Sequence, residues 1–219
     1  RRSRDITRQL LRAARATSTG LEPLDLRTPV RQSYDLFRHG FDSRIRVHCD
    51  LPLHQVPVRG DRAGLLQALF NLGVNARDAM EGQGEIHLEL DVITDPDLAN
   101  EMSWSSERVA RVRVWDTGPG IPPEVADKVF EPFFSTKGEH QNTGMGLSVV
   151  HRVILDHGGL IRVLSKPGHG AIFEVRLPTF VGKVDDDEPT RAFSLPSFLS
   201  VPGSGSSPLD GLSVLVADD

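Results

Sequence analysis

The apolar positions of this chain recur at two periods. Ile86, Leu88, Leu90 and Val92 alternate with His87, Glu89 and Asp91, and Ala110, Val112 and Val114 alternate with Arg111, Arg113 and Trp115. Successive side chains of a strand point to opposite faces, so each run predicts a strand with one buried and one wetted face. Between residues 61 and 80 the period lengthens. Leu65, Leu69, Leu72, Ala76 and Ala79 fall on one helical stripe, with Asp61 placed to cap the first turn. Helices are also predicted over residues 1–17, where Ile6, Leu10 and Ala14 share a stripe closed by Gly20 and Pro23, and over about 29–37 and 146–155. The last stops at Gly158 and Gly159. Shorter strands are expected at 45–49, 56–58, 160–164 and 171–177.

Two stretches have neither period. Residues 94–107 are polar and acidic and read as a long hairpin loop, while 117–143 are rich in Gly, Pro and Phe. Beyond residue 181 the chain turns acidic and then Ser/Pro/Gly-rich, the composition of a flexible linker over 181–211. An apolar run at 212–216 then starts what reads as a buried strand. Strands and helices mix without strict βαβ alternation. That order favours an α+β fold: a two-layer sandwich with a mixed, mostly antiparallel sheet and helices on one face.

Composition narrows the partners. A net charge of −5 and a pI of about 5.9 give no global attraction for nucleic acid or an acidic membrane. Cys49 is the single cysteine, so an internal disulfide is excluded and a reducing, cytoplasmic setting is expected for this portion. No apolar run approaches the roughly 20 residues of a membrane helix, and no secretory leader is read at the start. Attachment of a longer parent chain to a membrane is left open.

Three segments carry candidate chemistry. Asn71, Asn75 and Asp78 lie at i, i+4 and i+7 on one helix face, beside the apolar seam. They are either internal hydrogen-bonding groups or oxygen ligands for a hard cation such as Mg²⁺. Asp116 falls on the same strand face as Val112 and Val114, so a carboxylate points inward at a strand end. Either it caps a turn or it accepts hydrogen bonds from a ligand amine, with Gly118 and Gly120 letting backbone approach closely. Thr143, Gly144, Met145, Gly146 and Leu147 lead into a helix whose first amides can receive phosphate.

The order of these segments is more specific than any one of them. Residues 71–80 resemble the N box, 116–121 the G1 box, 129–134 (VFEPFF) the F box, 144–147 the G2 box and 168–170 the G3 box of the histidine kinase ATP-binding catalytic domain. The resemblance spans residues 25–180 and implies the Bergerat fold of the superfamily that also holds DNA gyrase, Hsp90 and MutL. It implies ATP and Mg²⁺ as ligands, Asp116 on the adenine amino group and Asn75 on the metal. Asn71 and Asp78 would support the metal and phosphates, with Gly144 and Gly146 amides on the phosphates. Residues 122–143 would form a mobile lid, hinged by Phe130, Phe133 and Phe134. Gly118, Gly120, Ile121, Phe130, Thr143, Met145, Leu147 and Ala171 complete the implied nucleotide site, and Lys137 is either a phosphate contact or a solvated lysine. Many members carry Thr where this chain has Ala171, which removes a hydroxyl that helps position water near adenine.

The resemblance also separates kinase from ATPase. Related ATPases carry Glu four residues before the metal-binding Asn, as base for water; here that position is Asn71, and a carboxamide takes up no proton at neutral pH. A histidine kinase instead uses an imidazole followed by Glu or Asp on a dimerising helical hairpin. The residues after His39, His48, His54, His87, His140, His151, His157 and His169 are Gly, Cys, Gln, Leu, Gln, Arg, Gly and Gly. His87 is expected on the outward face of its strand, and His151 and His157 as surface or packing residues.

Residues 1–20 resemble the last part of that hairpin, with the phosphoacceptor upstream of Arg1. Residues 212–219, ending in Asp218 and Asp219, resemble the start of a receiver domain and hence a hybrid kinase. The implied partners are the upstream hairpin and a receiver, in a homodimeric parent; the 219 residues themselves are expected to be a monomer or weak dimer.

Overall fold

The two alternating runs pair with each other and form the centre of the sheet. The structure, a computed structural model, describes residues 20–134, 144–182 and 184. Its strands are β1 (Glu22–Asp25), β2 (Ile45–Asp50), β3 (Pro57–Gly60), β4 (Gly84–Thr94), β5 (Arg108–Asp116), β6 (Leu160–Ser165) and β7 (Ala171–Pro178). Its helices are α1 (Arg27–Gly40), α2 (Arg62–Ala79), α3 (Pro96–Glu101), α4 (Pro123–Ala126) and α5 (Gly146–Asp156). The predicted helix over 1–17, nearly all of the 181–211 linker and the strand at 212–216 lie outside the described residues.

Five strands form one sheet in the order β2-β4-β5-β7-β6. β2 runs parallel to β4, and every other neighbour pair is antiparallel. β1 and β3 make a separate two-stranded antiparallel sheet. Alternation decides the faces: Ile86, Leu88, Leu90, Val112, Val114, Phe173 and Val175 are buried, and they share a core with Leu65, Leu69, Leu72 and Ile154 of the helices. α2 packs on both α1 and α5, giving the helical layer of a two-layer α+β sandwich. The outward positions between the apolar ones carry paired charges. Arg113 meets Glu89, Arg111 meets Asp91, and Glu174 holds both Arg162 and Arg176.

α2 starts where Asp61 accepts the Ala63 and Gly64 amides at 3.0 and 3.1 Å, satisfying two of the donors left free at a helix start. It is more enclosed than one stripe implies: Leu66, Ala68 and Phe70 are also buried, because α1, α5 and the sheet surround it, whereas Ala79 is only partly covered.

The sequence reading needs three corrections. Residues 94–107 are not simply a loop. They contain α3, whose Asp95 accepts the Leu98 amide at 3.0 Å and whose Pro96 occupies the first turn, where no amide is needed. α1 extends beyond 29–37 at both ends, since Pro29 sits near its start for the same reason. Pro23 lies in β1, a strand the periodicity did not predict, in a two-stranded sheet whose outer edge tolerates a missing amide.

Two buried polar groups tie the layers together. His157 accepts the Asp61 amide on Nε2 at 2.9 Å and donates from Nδ1 to the Val153 carbonyl at 2.7 Å. The end of α5 is thereby fixed to the start of α2. Asp25 accepts from the Val56 amide at 3.1 Å and from the Arg27 amide and Nε at 3.1 and 2.7 Å. Burial pushes its carboxyl upward, but the Arg27 side chain and the two amides outweigh burial and hold it below its ordinary value.

Replacing His157 with Ala leaves the partly buried Asp61 amide without its acceptor and is expected to cost about 1–2 kcal/mol in urea unfolding. The Asp25 linkage has the opposite origin and a defined sign. Because the folded carboxyl is the stronger acid, its contribution is complete above the unfolded value of about 4 and is lost as pH falls through the lower folded value. Thermal unfolding of Asp25→Asn should therefore show a shallower acid-side loss of stability than the parent, with the two profiles parallel above about pH 5.

Candidate functional site

The period of β5 delivers its last residue inward. Trp115 faces out and Asp116, at the strand's end, is 5% exposed. Its Oδ1 accepts the Gly118 amide at 2.8 Å, and the Ala171 amide bonds the same carboxylate. Burial raises the Asp116 carboxyl above its ordinary value, and these two amides offset that only in part. Among the described residues no cation pairs with it, and a buried carboxylate so placed is a costly group that invites a donor from outside the chain.

The turn that follows is held by hydroxyls. Thr117 Oγ1 accepts the Glu85 amide at 3.0 Å and points its proton at Met80 Sδ, 3.5 Å away. Ser165 Oγ accepts the Ile121 amide at 2.8 Å and donates to the Gly170 carbonyl at 2.7 Å. Ile121 rests, partly buried, against the core. Gly118 lies over Met80, and Gly120, at φ 76°, passes so close to the Lys166 carbonyl that a Cβ would stand 2.4 Å from it. Backbone therefore lines this end of the site where side chains would fill it.

α2 supplies the opposite wall. Asn71 Nδ2 lies 3.4 Å from the Gly146 carbonyl, a long hydrogen bond. Asn75 also faces Gly146, and its buried amide nitrogen has no partner among the described residues. Asp78 shares their helix, but its Oδ1 is occupied by Arg77, which donates from Nε and Nη2 at 2.9 and 2.7 Å. The i, i+4, i+7 spacing thus brings Asn71 and Asn75 to Gly146 and leaves Asp78 in an ion pair.

Gly144, Met145, Gly146 and Leu147 form the entry to α5. Among the described residues no side chain caps this end, which leaves its first amides available. The Ser148 hydroxyl bonds back to the Met145 carbonyl at 2.9 Å, and the Phe133 amide donates to the Gly144 carbonyl at 3.0 Å. Phe130 packs inside, stacked on His151 at 5.4 Å and edge-on to Phe173 at 6.3 Å. Phe133 is 69% exposed at φ 68°. The short helix α4 lies within the stretch expected as a lid, while Lys137 and Thr143 lie outside the described residues.

Two supports escaped the sequence reading. Thr117 and Ser165 carry hydrogen bonds across 32 and 44 residues, and no local pattern announces such partners. Gly170, read from the sequence only as part of the G3 resemblance, has the sharper role. Its φ is 78°, and a Cβ would stand 1.8 Å from the Asp116 carbonyl oxygen. The Gly168/Gly170 pair was the available signal.

Comparison with known proteins bears on the family and the fold. Residues 60–180 match the family described as histidine kinase-, DNA gyrase B- and HSP90-like ATPase. The chain is 36% identical over 194 residues to the sensor kinase CckA of Brucella abortus, covering 87% of this chain and 20% of that protein. It is 32% identical over 183 residues to the sensor histidine kinase ZraS of Escherichia coli, covering 82% and 36%. The chain therefore spans well under half the length of these curated relatives. Among solved structures, the nucleotide-free catalytic domain of histidine kinase ThkA superposes with a TM-score of 0.60 at 30% identity, over 74% of this chain and 97% of that one. Full-length ShkA in complex with AMPPNP gives 0.58 at 29%, over 73% and 31%. ThkA in complex with the response regulator TrrA gives 0.59 at 26%, over 82% and 48%.

Gly168 and Gly170 share a left-handed backbone but differ in space. Nothing lies within 4 Å of a Cβ at Gly168, whereas Gly170 abuts Asp116. Gly168→Ala should cost only the conformational strain, about 1–2 kcal/mol. Gly170→Ala should cost at least about 1 kcal/mol more, because the backbone bearing Asp116 must move. Equal losses in chemical unfolding would show that Gly170 does not set the position of that strand end.

Proposed function

Because this chain belongs to the histidine kinase-, DNA gyrase B- and HSP90-like ATPase family, as the ATP-binding catalytic domain of a sensor histidine kinase, we propose a division of labour in its site. Adenine docks at Asp116, and the γ-phosphoryl group is offered to a histidine on a hairpin preceding residue 1. The observation that carries the reading is the buried Asp116 carboxylate, tethered by backbone amides and raised in its proton affinity. An exocyclic amino group donates to such a carboxylate, whereas the carbonyl oxygen of guanine repels it. Gly118, Gly120, Ile121 and Ala171 line the base's approach. Ala171 contributes an amide where relatives add a hydroxyl, so fewer contacts rest on a bridging water.

At the other end, the Gly144–Leu147 entry to α5 offers amides to the phosphates, and Thr143 and Lys137 are candidate additions from the preceding segment. The buried Asn75 amide nitrogen, unpartnered among the described residues, is a donor for a phosphate oxygen, and the side-chain oxygen of the same amide would face a hydrated Mg²⁺, with Asn71 beside it. When bound, Mg²⁺ supplies charge neutralisation to the phosphate chain. Asp78, paired with Arg77, supports this wall from outside. Residues 122–143, anchored through Phe130 and presenting exposed Phe133, serve as lid and as contact for the hairpin.

Transfer proper needs positioning more than covalent help from this domain. The incoming imidazole nitrogen forms the P–N bond while the bond from γ-phosphorus to the β,γ-bridging oxygen breaks, leaving ADP. Asn71 stands where a carboxylate would activate water, so nucleotide is retained for the imidazole and not spent on hydrolysis. The phosphoryl group then passes to an aspartate of a receiver domain. The solved ThkA–response regulator complex supports that partner class, and the resemblance of residues 212–219 to a receiver start supports a hybrid parent. Among the described residues no helix is long and apolar enough to cross a membrane. We place this portion of the parent in the cytoplasm, where ATP is.

Asp116→Asn is expected to weaken ATP binding about 10- to 100-fold by calorimetry, the worth of a hydrogen bond to a charged acceptor. GTP should compete poorly with the parent chain. Equal competition by GTP, or unchanged ATP affinity in the variant, contradicts the adenine assignment. With radiolabelled ATP the present chain should release phosphate slowly and acquire no acid-labile label. A version extended upstream through the hairpin should become labelled. Label on the present chain that vanishes when one of its own histidines is replaced would place the phosphoacceptor elsewhere.

A further inference from the structure

The strand register sets His48, His87, Trp115, Ile172 and Leu164 in one row across the sheet. The row lies on the outward side, away from Asp116. The His48 and His87 rings stack at 4.3 Å, 16° from parallel, and His87 stacks on Trp115 at 3.6 Å, 4° from parallel. Glu85, two residues before His87 on β4, faces the same way. Arg46 holds its Oε1. Its Oε2 lies 3.3 Å from His87 Nε2 and 3.7 Å from His48 Nε2. Nothing in the nucleotide reading uses these groups.

We propose that His48, Glu85 and His87 form a site for one divalent transition-metal ion, with zinc the fitting case. Two imidazoles and one carboxylate are the donor set that favours such ions over Mg²⁺ or Ca²⁺. The spacing agrees. Two ligand atoms on a tetrahedral zinc, each about 2.0–2.1 Å from it, stand roughly 3.3 Å apart. The Glu85–His87 pair is already at that separation, and all three ligand atoms lie within 4.8 Å of one another. Among the described residues, no other three His, Cys, Asp or Glu converge in this way.

The surroundings divide rigid from adjustable ligands. Trp115 pins the His87 ring from one side. Arg46 orients the carboxylate by the oxygen that an ion would not need, as a hydrogen-bonding partner behind a ligand does. An imidazole binds an ion in its own ring plane, so His48, about half exposed, must tilt out of its stack on His87 to complete the site. A fourth position faces solvent and is open to water or to a donor from a partner.

Trp115 provides the readout. In tag-free protein with Trp104→Phe, leaving Trp115 as the sole indole, Cu²⁺ should quench the emission saturably at one equivalent, and Zn²⁺ should compete with it. Calorimetry with Zn²⁺ alone should show one equivalent bound in the micromolar range. His48→Ala and Glu85→Gln should each weaken it about tenfold or more. Both change partly exposed side chains and leave the core intact. His54→Ala, at an exposed histidine outside the cluster, should leave binding unchanged. Two results would overturn the site: no saturable one-equivalent binding, or affinities in His48→Ala and Glu85→Gln equal to the parent's.

Discussion

The last residue of β5 sets the terms for the rest of the molecule. An ionised or proton-hungry carboxyl in an apolar sheet end is unfavourable unless donors surround it. The chain supplies two, the amides of Gly118 and Ala171, and both require the turn and the start of β7 to close over the strand. Closure brings the Gly170 backbone against the Asp116 carbonyl, with no room for a side chain. Ser165 then ties that turn to Ile121. What looks like a set of separate glycine motifs is one arrangement around one buried carboxyl, with capacity left for a further donor.

The helical layer answers the same need from the other side. α2 is enclosed by α1, α5 and the sheet, so its polar residues near the C-terminal end have few places to go. Asn71 and Asn75 turn to the uncapped start of α5, and Asp78 to Arg77. The clamp of His157 between α5 and the cap of α2 fixes how those two helices meet. Among the described residues, the unpartnered Asn75 amide nitrogen and the uncapped first amides of α5 thus face one another across this gap.

Much of this was legible because it is periodic. β4 and β5 follow from strict alternation, α2 from its apolar stripe and the Asp61 cap, and the inward turn of Asp116 from counting by two along β5. The elements that escaped obey rules of other kinds. α3 was announced by Asp95 and Pro96, a capping residue followed by a first-turn proline, but its six residues are too short for a stripe. β1 hides because Pro23 reads as a breaker, and only its pairing with β3 makes it a strand. Hydrogen bonds from the Asp61 amide to His157 and from the Ile121 amide to Ser165 span 96 and 44 residues, and the His48–His87–Trp115 row depends on two registers at once. Long-range register is not written in any window of sequence.

The central claim is that Asp116 receives the adenine amino group while Asn75 faces the metal-bound phosphates. A crystal structure of this chain with Mg²⁺ and a non-hydrolysable ATP analogue tests it most directly. The account predicts the exocyclic amino nitrogen within hydrogen-bond distance of the Asp116 carboxylate, the Asn75 oxygen on the Mg²⁺, and phosphate oxygens at the first amides of α5. A base bound elsewhere, with the Asp116 carboxylate still served only by Gly118 and Ala171, would contradict it.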